Sequence, residues 1–426
     1  MHSHFLSLLE RRMSGKRMHR MESAFRKLKG EVGPGVITGG ADNDPAGIVT
    51  YTTVGALYGY ALLWVLILCT PLMIVVQEMA GRLALVKKKG LSSIIVEHYG
   101  KTPATVVMTS LLIVNIATIG ADIAGVAAVL GLLTGITWAF YIIPVTALIG
   151  YLVLFKKYRF IRNILMMLTG LLVVYIFSSA MASPDWTLVV EGLVPTFLPS
   201  MGFVAAVVGV IGTTISPYML FWQASDELEE HKSIIRPKEV EIDTAVGMSW
   251  SNMIAAFIII AAASTLFVAG ITVDTAEEAA MALAPLAGRW AFLLFSIGII
   301  VSGFLALPVL AASSAFAVSE TFGWREGLNK KVLSAKGFYF VFMSSLLVGS
   351  ALAFLPINPI HFLYYTQVLD GFLTPFLALM LLFMCNKKAI MGKYTNNWIS
   401  NVIGTALVVI LLLLDVFLVG QIFGFL

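Results

Sequence analysis

The chain has 426 residues, of which 59% are hydrophobic and only 12% are charged, and its formal net charge is +4. This composition excludes a soluble domain of this size and is typical of a polytopic helical membrane protein. The basic residues follow the loops rather than forming a patch, so the charge does not indicate a nucleic-acid partner.

The chain begins with a basic segment, 1–30, which has no apolar core. We therefore interpret it as a cytosolic arm rather than a cleaved signal peptide. Eleven apolar segments follow, and each is long enough to cross the hydrocarbon layer. The eleven predicted spans are 34–58, 60–86, 103–131, 139–155, 160–182, 200–225, 244–270, 287–319, 337–356, 360–385 and 399–424.

The first span is interrupted by the run Gly39–Gly47, which contains two carboxylates and a proline. A charged side chain at membrane depth costs about 2.5–3.5 kcal/mol on insertion scales, so such residues commonly mark a site. Asp44 precedes Pro45, which disfavours helical backbone at Asp44 and leaves carbonyls free nearby, including that of Ala46. Alternatively, Asp44 caps the second half of the helix.

The sixth span contains a second interruption, Gly212–Tyr218. Thr213 can offer its carbonyl oxygen there, and Ser216 its hydroxyl or carbonyl oxygen. The alternative is a proline kink in which Ser and Thr hydroxyls bond back to the helix. Because the two breaks lie five spans apart, they occupy corresponding positions of two inverted repeats, which is the pattern of a secondary transporter.

This pattern divides the chain. We predict a first five-helix repeat over 31–182, an extracellular loop over 183–199 and a second repeat over 200–385. A cytosolic loop (386–398) and an eleventh span (399–426) follow.

Other polar residues lie inside predicted spans. Gln367 can complete a metal shell through its amide oxygen, or it can form an ordinary interhelical hydrogen bond. Asp122 can serve a pathway or pair with a polar neighbour, and both interpretations stay open. Glu78 and Arg82, four residues apart, predict a local ion pair or gate element.

The candidate donors are carboxylate, carbonyl, hydroxyl and amide oxygens, which favour hard cations, and a roomy site with few carboxylates suits partly hydrated Mg²⁺. We find no nucleophile–base pair or cofactor motif, so we expect neither an enzyme nor a bound cofactor. No motif demands a protein partner, and we expect a monomer in the bilayer.

Several motifs of the first two spans resemble those of the Nramp divalent-metal transporters. They are Gly33-Pro34-Gly35, Asp44-Pro45, Gly55-Ala56-Leu57-Tyr58-Gly59-Tyr60 and Leu63-Trp64. The resemblance implies a LeuT-like fold with two inverted five-helix repeats, broken spans one and six, and an eleventh span. It also implies that metal binds between the two breaks and crosses by alternating access.

The chain departs from the family pattern at four positions. Where the family has an asparagine ligand, a methionine, a histidine and a glutamate, this sequence has Gly47, Ser216, Tyr218 and Gly125. Gln367 matches the family's glutamine. This combination resembles the Nramp-related magnesium transporters, a prokaryotic branch. The likeness implies Mg²⁺ uptake that also accepts Mn²⁺, excludes Ca²⁺ and is not coupled to protons.

The predicted site has two parts. The metal-binding set is Asp44, Ala46, Gly47, Thr213, Ser216 and Gln367. The pathway set is Asp42, Asn43, Asp122, Tyr218 and Asp370.

Basic residues concentrate in the loops that a cytosolic N-terminus places inside, and among the outer loops only Arg289 is basic. This asymmetry predicts an inner-membrane protein with a cytosolic N-terminus and an extracellular C-terminus. The alternatives are a proton-coupled Mn²⁺/Fe²⁺ symporter, a sodium-coupled symporter of organic solutes, and a channel.

Overall fold

The computed structural model describes residues 34–156, 158–198, 200–229, 237–283 and 291–422. The predicted basic arm, 1–30, and Arg289 lie outside these ranges. Within them the regular structure is helical. The α-helices are α1 Pro34–Ala41, α2 Pro45–Tyr58, α3 Leu63–Lys87, α4 Leu91–Tyr99, α5 Lys101–Thr134, α6 Ala139–Phe155, α7 Tyr158–Leu171, α8 Val174–Met181, α9 Trp186–Glu191, α10 Met201–Thr214, α11 Pro217–Glu229, α12 Pro237–Ala262, α13 Ala276–Ala280, α14 Ala291–Phe322, α15 Lys336–Ala353, α16 Pro359–Asn386, α17 Lys388–Met391 and α18 Trp398–Ile422.

The helices agree with the predicted spans. Among the described residues, 8 helical stretches are long and apolar enough to cross a membrane, and two shorter apolar helices accompany them. The broken first span, α1 and α2, completes the set. The sequence did not predict the interruption of the fifth span between α7 and α8, nor the short helices α4, α9, α13 and α17.

Both predicted breaks are present, and each falls immediately before a proline. Helix α1 ends at Ala41 and α2 begins at Pro45, while α10 ends at Thr214 and α11 begins at Pro217. Proline has no amide hydrogen to donate, so it is tolerated in the first turn of a helix, where an amide needs no intrahelical acceptor. The sequence therefore restarts each helix at the residue where it breaks.

The broken first span is enclosed by other helices. Helix α1 packs along α12, and α2 contacts α10, α12 and α16. A β-carbon built on Gly55 would lie 2.7 Å from the Ile259 carbonyl oxygen and 2.8 Å from Ala262 Cβ, so glycine permits this close helix packing. Enclosure satisfies the physical requirement that irregular backbone at membrane depth be buried in protein or line a cavity.

The loops gather at two ends of the bundle. One, here called the lysine-rich end, holds loops 88–90, 323–335 and 387–397. Hydrogen bonds join its parts: Ser92 N donates to Glu320 Oε2 over 2.8 Å, and Arg82 Nη2 donates to Asn396 Oδ1 over 2.7 Å. The predicted ion pair is confirmed there, because Arg82 Nε lies 2.6 Å from Glu78 Oε1.

Candidate functional site

Asp44 lies between the two breaks and is 1% exposed. Its Oδ1 accepts a hydrogen bond from Gly47 N at 2.5 Å, and its backbone is extended, with φ −70° and ψ 170°. One carboxylate oxygen, Oδ1, therefore caps the start of α2, as the capping alternative predicted. The other oxygen, Oδ2, accepts a hydrogen bond from the Tyr218 hydroxyl at 3.4 Å, so the same carboxylate connects the first break to the second.

Gly47 and Thr213 face each other across the two breaks. A β-carbon added at Gly47 would lie 2.7 Å from Thr213 Oγ1 and 3.0 Å from Asp44 Oδ1. Thr213 is fully buried, and among the described residues the Tyr51 side chain lies near enough to interact with its hydroxyl. The predicted ligands of the first and sixth spans are therefore neighbours, and the threonine hydroxyl is an additional oxygen donor.

Ser216 adopts the back-bonded arrangement of the kink alternative. Its hydroxyl donates to the Gly212 carbonyl oxygen at 2.9 Å and to the Thr213 carbonyl oxygen at 3.1 Å. In this conformation the serine side chain and the Thr213 carbonyl satisfy each other. A cation that bound the Ser216 hydroxyl or the Thr213 carbonyl oxygen would have to replace this local hydrogen bond.

Gln367 lies beside the second break. The Gln367 carbonyl oxygen occupies the position that a β-carbon on Gly212 would need, so α16 and α10 approach closely there. Neither polar atom of the Gln367 side chain has a hydrogen-bond partner within the described ranges, although the residue is fully buried. The interhelical-bond alternative is therefore not realised in this conformation. An unpaired buried amide costs about 1–3 kcal/mol, which favours a ligand role.

Asp122 and Asp370 extend the polar region. Asp122 Oδ1 accepts a hydrogen bond from Ala46 N at 3.3 Å, which ties α5 to the first break. Asp370 Oδ2 accepts from the Thr118 hydroxyl at 3.4 Å. Each carboxylate keeps one oxygen that has no partner in the described part of the chain.

Asp42 and Asn43 face α12. Ser251 Oγ donates to Asp42 Oδ2 at 2.5 Å, and Asn43 Nδ2 donates to Ser251 Oγ at 2.9 Å. The structure thus places these two pathway candidates on the α12 side of the break.

Gly125, where the family has a glutamate, packs against α16. A β-carbon there would lie 2.8 Å from Leu363 Cδ1. The position carries no titratable side chain, and its surroundings are apolar on that side.

Two residues of this region were missed by the sequence reasoning. Ser251 holds Asp42 and Asn43, and Thr118 holds Asp370. The signal for Ser251 was the polar run Ser249-Trp250-Ser251-Asn252 inside a predicted span. Thr118 had none beyond its place between Asn115 and Asp122 on one helix.

The candidate site is poor in side chains that bind metal strongly. Among the described residues there is no group of three or more His, Cys, Asp and Glu side chains that could hold a metal ion. The groups that contact Asp44 are instead the Gly47 amide and the Tyr218 hydroxyl, and the Thr213 hydroxyl faces Gly47 beside them.

The family model described as "Natural resistance-associated macrophage protein-like" matches residues 35–421. The chain belongs to the Nramp family. This Nramp chain is 26% identical over 414 residues to the divalent metal cation transporter MntH of Deinococcus radiodurans, covering 94% of this chain and 91% of that one. It is 27% identical over 414 residues to MntH of Bacillus subtilis, covering 94% of each chain.

Solved structures agree in fold. A mutant of the Eremococcus coleocola manganese transporter aligns with a TM-score of 0.74 at 19% identity, covering 94% of this chain and 89% of that one. The transporter Mhp1 in a closed conformation aligns with a TM-score of 0.54 at 15% identity, covering 92% and 93%. The LeuT-like fold is confirmed. The Nramp chain is therefore a membrane transporter rather than an enzyme, and the metal is cargo rather than cofactor.

Proposed function

We propose that this Nramp protein, a divalent metal transporter, takes up Mg²⁺, accepts Mn²⁺, and moves no protons with the metal. One observation carries the proposal: the buried side chains placed beside Asp44 and the second break offer oxygen. The Thr213 hydroxyl faces Gly47 across the breaks, and the buried Gln367 belongs to the helix that packs against Gly212.

Oxygen donors favour Mg²⁺ and Mn²⁺ over softer metals. The position that the family fills with methionine is Ser216, so the thioether that favours softer metals is missing. Gly47 offers no side-chain ligand. Mg²⁺ gives up its waters reluctantly and is usually bound with several of them retained, so a site with one central carboxylate suits it.

The absence of proton coupling is supported by two substitutions. Gly125 and Tyr218 replace the glutamate and histidine of the family pattern, and a histidine is the side chain that titrates most readily near neutral pH. The competing function is proton-coupled Mn²⁺/Fe²⁺ symport, which the buried carboxylates of Asp42, Asp122 and Asp370 favour.

Uptake without protons needs another driving force. A membrane potential of about 100 mV is worth about 2.3 kcal/mol per elementary charge, hence about 4.6 kcal/mol for a divalent cation. We propose a monomer in the inner membrane of a prokaryote, with the lysine-rich end and the N-terminus in the cytosol and the C-terminus outside. Metal binds between the breaks and is released by alternating access.

The test uses purified protein in liposomes that contain a Mg²⁺ dye and a pH dye, with a potassium–valinomycin potential imposed. Saturable, potential-driven Mg²⁺ entry without a change in internal pH is the expected result. Acidification that follows metal entry would assign the protein to the symport class instead. Single-channel currents would contradict a carrier.

Asp44 is tested in the same assay by two variants. Asp44→Ala should nearly abolish transport. Asp44→Asn can still cap α2, because asparagine is as good a capping residue as aspartate. We expect Asp44→Asn to keep its thermal stability and lose transport, whereas Glu191→Gln, an exposed carboxylate elsewhere, should keep both. Full transport in Asp44→Asn would refute the assignment of Asp44 as the metal-binding carboxylate.

A further inference from the structure

Another buried carboxylate lies outside the two breaks, on the last helix. Asp415 is the only charged residue of α18, which is otherwise strongly apolar. It lies seven residues before Ile422, or about 10 Å along the helix at 1.5 Å per residue. It is 7% exposed, and neither carboxylate oxygen has a hydrogen-bond partner in the described ranges. A charged residue at membrane depth is a functional-site hypothesis by default.

Asp415 is one of the residues that line a groove of about 590 Å³ between α16 and α18. The other lining residues are apolar: Phe372, Phe376, Leu412, Val416, Val419 and Gly420. Phe376 is 59% exposed and Val416 66% exposed, so the groove opens on the surface that faces the bilayer. A ligand therefore arrives from the membrane and must be largely hydrocarbon.

The negative charge of Asp415 determines which polar group the ligand must carry. None of the described residues that line the groove is basic, so Asp415 has no counter-ion there. A divalent cation does not fit, because one carboxylate with apolar walls cannot replace the oxygen shell that Mg²⁺ or Ca²⁺ demands. A single ammonium group matches one carboxylate in charge: once a rotation of the side chain uncovers the oxygens, an ammonium can donate hydrogen bonds to both, and phenylalanine faces attract cations.

We propose that the groove between α16 and α18 binds an amphiphilic primary amine from the bilayer, with its ammonium group on Asp415 and its hydrocarbon chain along Phe372 and Phe376. This site is separate from the metal pathway and does not rest on the proposed function. Phe372 also packs against the cluster of Val204, Val208 and Leu418, so the groove adjoins the contact between α10 and α18.

The test measures binding to the full chain in detergent with an uncharged headgroup, by native mass spectrometry and thermal unfolding at pH 7.5. The probes are dodecylamine and dodecanol, which share the tail and differ in charge. One dodecylamine per chain should bind at least about 10-fold more tightly than dodecanol, the effect expected of hydrogen bonds to a charged group. Dodecylamine should also raise the unfolding temperature.

Asp415→Asn, which keeps the shape of the side chain, should abolish the difference between the two probes. Glu191→Gln removes an exposed carboxylate elsewhere and is the control for nonspecific attraction of cations. The difference between the two probes should remain in this variant. Equal binding of both probes to the unaltered protein, or an unchanged preference in Asp415→Asn, would overturn the proposal. A dimer of the unaltered protein that becomes a monomer in Asp415→Leu would also overturn the proposal, because a second copy of the chain would then occupy the groove.

Discussion

Restoring the family's asparagine at position 47 is expected to fail in this chain for a steric reason. The β-carbon of Gly47→Asn would lie 2.7 Å from Thr213 Oγ1 and 3.0 Å from Asp44 Oδ1. The second contact can relax by rotation of a carboxylate. The first involves a buried β-branched side chain whose rotamer is restricted, so the helix or the threonine must shift.

The cost follows from overpacking of a buried site, which destabilises proteins by about 1–3 kcal/mol. Thr213→Ala removes the hydroxyl, one of the proposed oxygen donors, and keeps the backbone carbonyl, so transport in this background is compared with that of Thr213→Ala alone. Gly47→Asn should therefore cost much less in the Thr213→Ala background. Because the two residues are in contact, we expect a coupling energy within the usual range of about 0.5–3 kcal/mol.

Thermal or denaturant unfolding of the four proteins of this cycle measures the coupling. The same proteins in liposomes give the Mg²⁺/Mn²⁺ transport ratio. In the Thr213→Ala background, Gly47→Asn with Ser216→Met should shift the preference toward Mn²⁺, since it adds an amide oxygen and a thioether. Additive stabilities would show that positions 47 and 213 are not in contact. An unchanged ratio in a folded triple variant would contradict the ligand argument.

Three further predictions concern the surroundings of the site and the lysine-rich end. Asp122→Leu leaves Ala46 N without its acceptor and should cost about 1–3 kcal/mol and slow metal flux, whereas Asp122→Asn keeps an acceptor and should retain stability, both read from melting temperature and liposome uptake. Burial, followed by the negative charges of Glu320 and Glu229, raises the pKa of Glu326 from 4.5 to about 9. Between these values the folded chain holds a proton that the unfolded chain has lost, so stability falls as pH rises, and Glu326→Gln should flatten the melting temperature across that window. Arg82→Leu leaves the Glu78 carboxylate without its partner and should lower the free energy of unfolding by about 3–5 kcal/mol. The double variant Glu78→Leu/Arg82→Leu leaves no unpaired charge and should lower it by less.

The breaks could be predicted from sequence because their cause is local. A proline that follows Asp44, and another that follows Ser216, disfavour helical backbone just before them whatever surrounds them. Spans are equally readable, since hydrocarbon thickness fixes their length. The interruption between α7 and α8 lacks a proline or a charge, and the sequence gives no local reason for it.

The partners of the polar residues could not be predicted, because they depend on contacts between distant segments. Ser251, which holds Asp42, is 209 positions away in sequence. Asp415 lies in the last predicted span, outside the two repeats that contain the breaks. A carboxylate inside an apolar span is the feature that identified Asp44, and Asp415 has the same feature.

The capping role of Asp44 and its proposed metal-binding role are compatible, and together they would require an aspartate at this position. One oxygen holds Gly47 N and fixes the start of α2, while the other faces α11. An asparagine would cap equally well but would bring no charge to a place where Thr213 and Gln367 supply only neutral oxygens. The other three carboxylates accept from Ser251 of α12, Thr118 of α5 and Ala46 of α2, whereas Asp44 accepts hydrogen bonds from both breaks. Removing its charge is therefore expected to weaken cation binding while leaving the helix intact, which is why the Asp44→Asn variant separates the two roles.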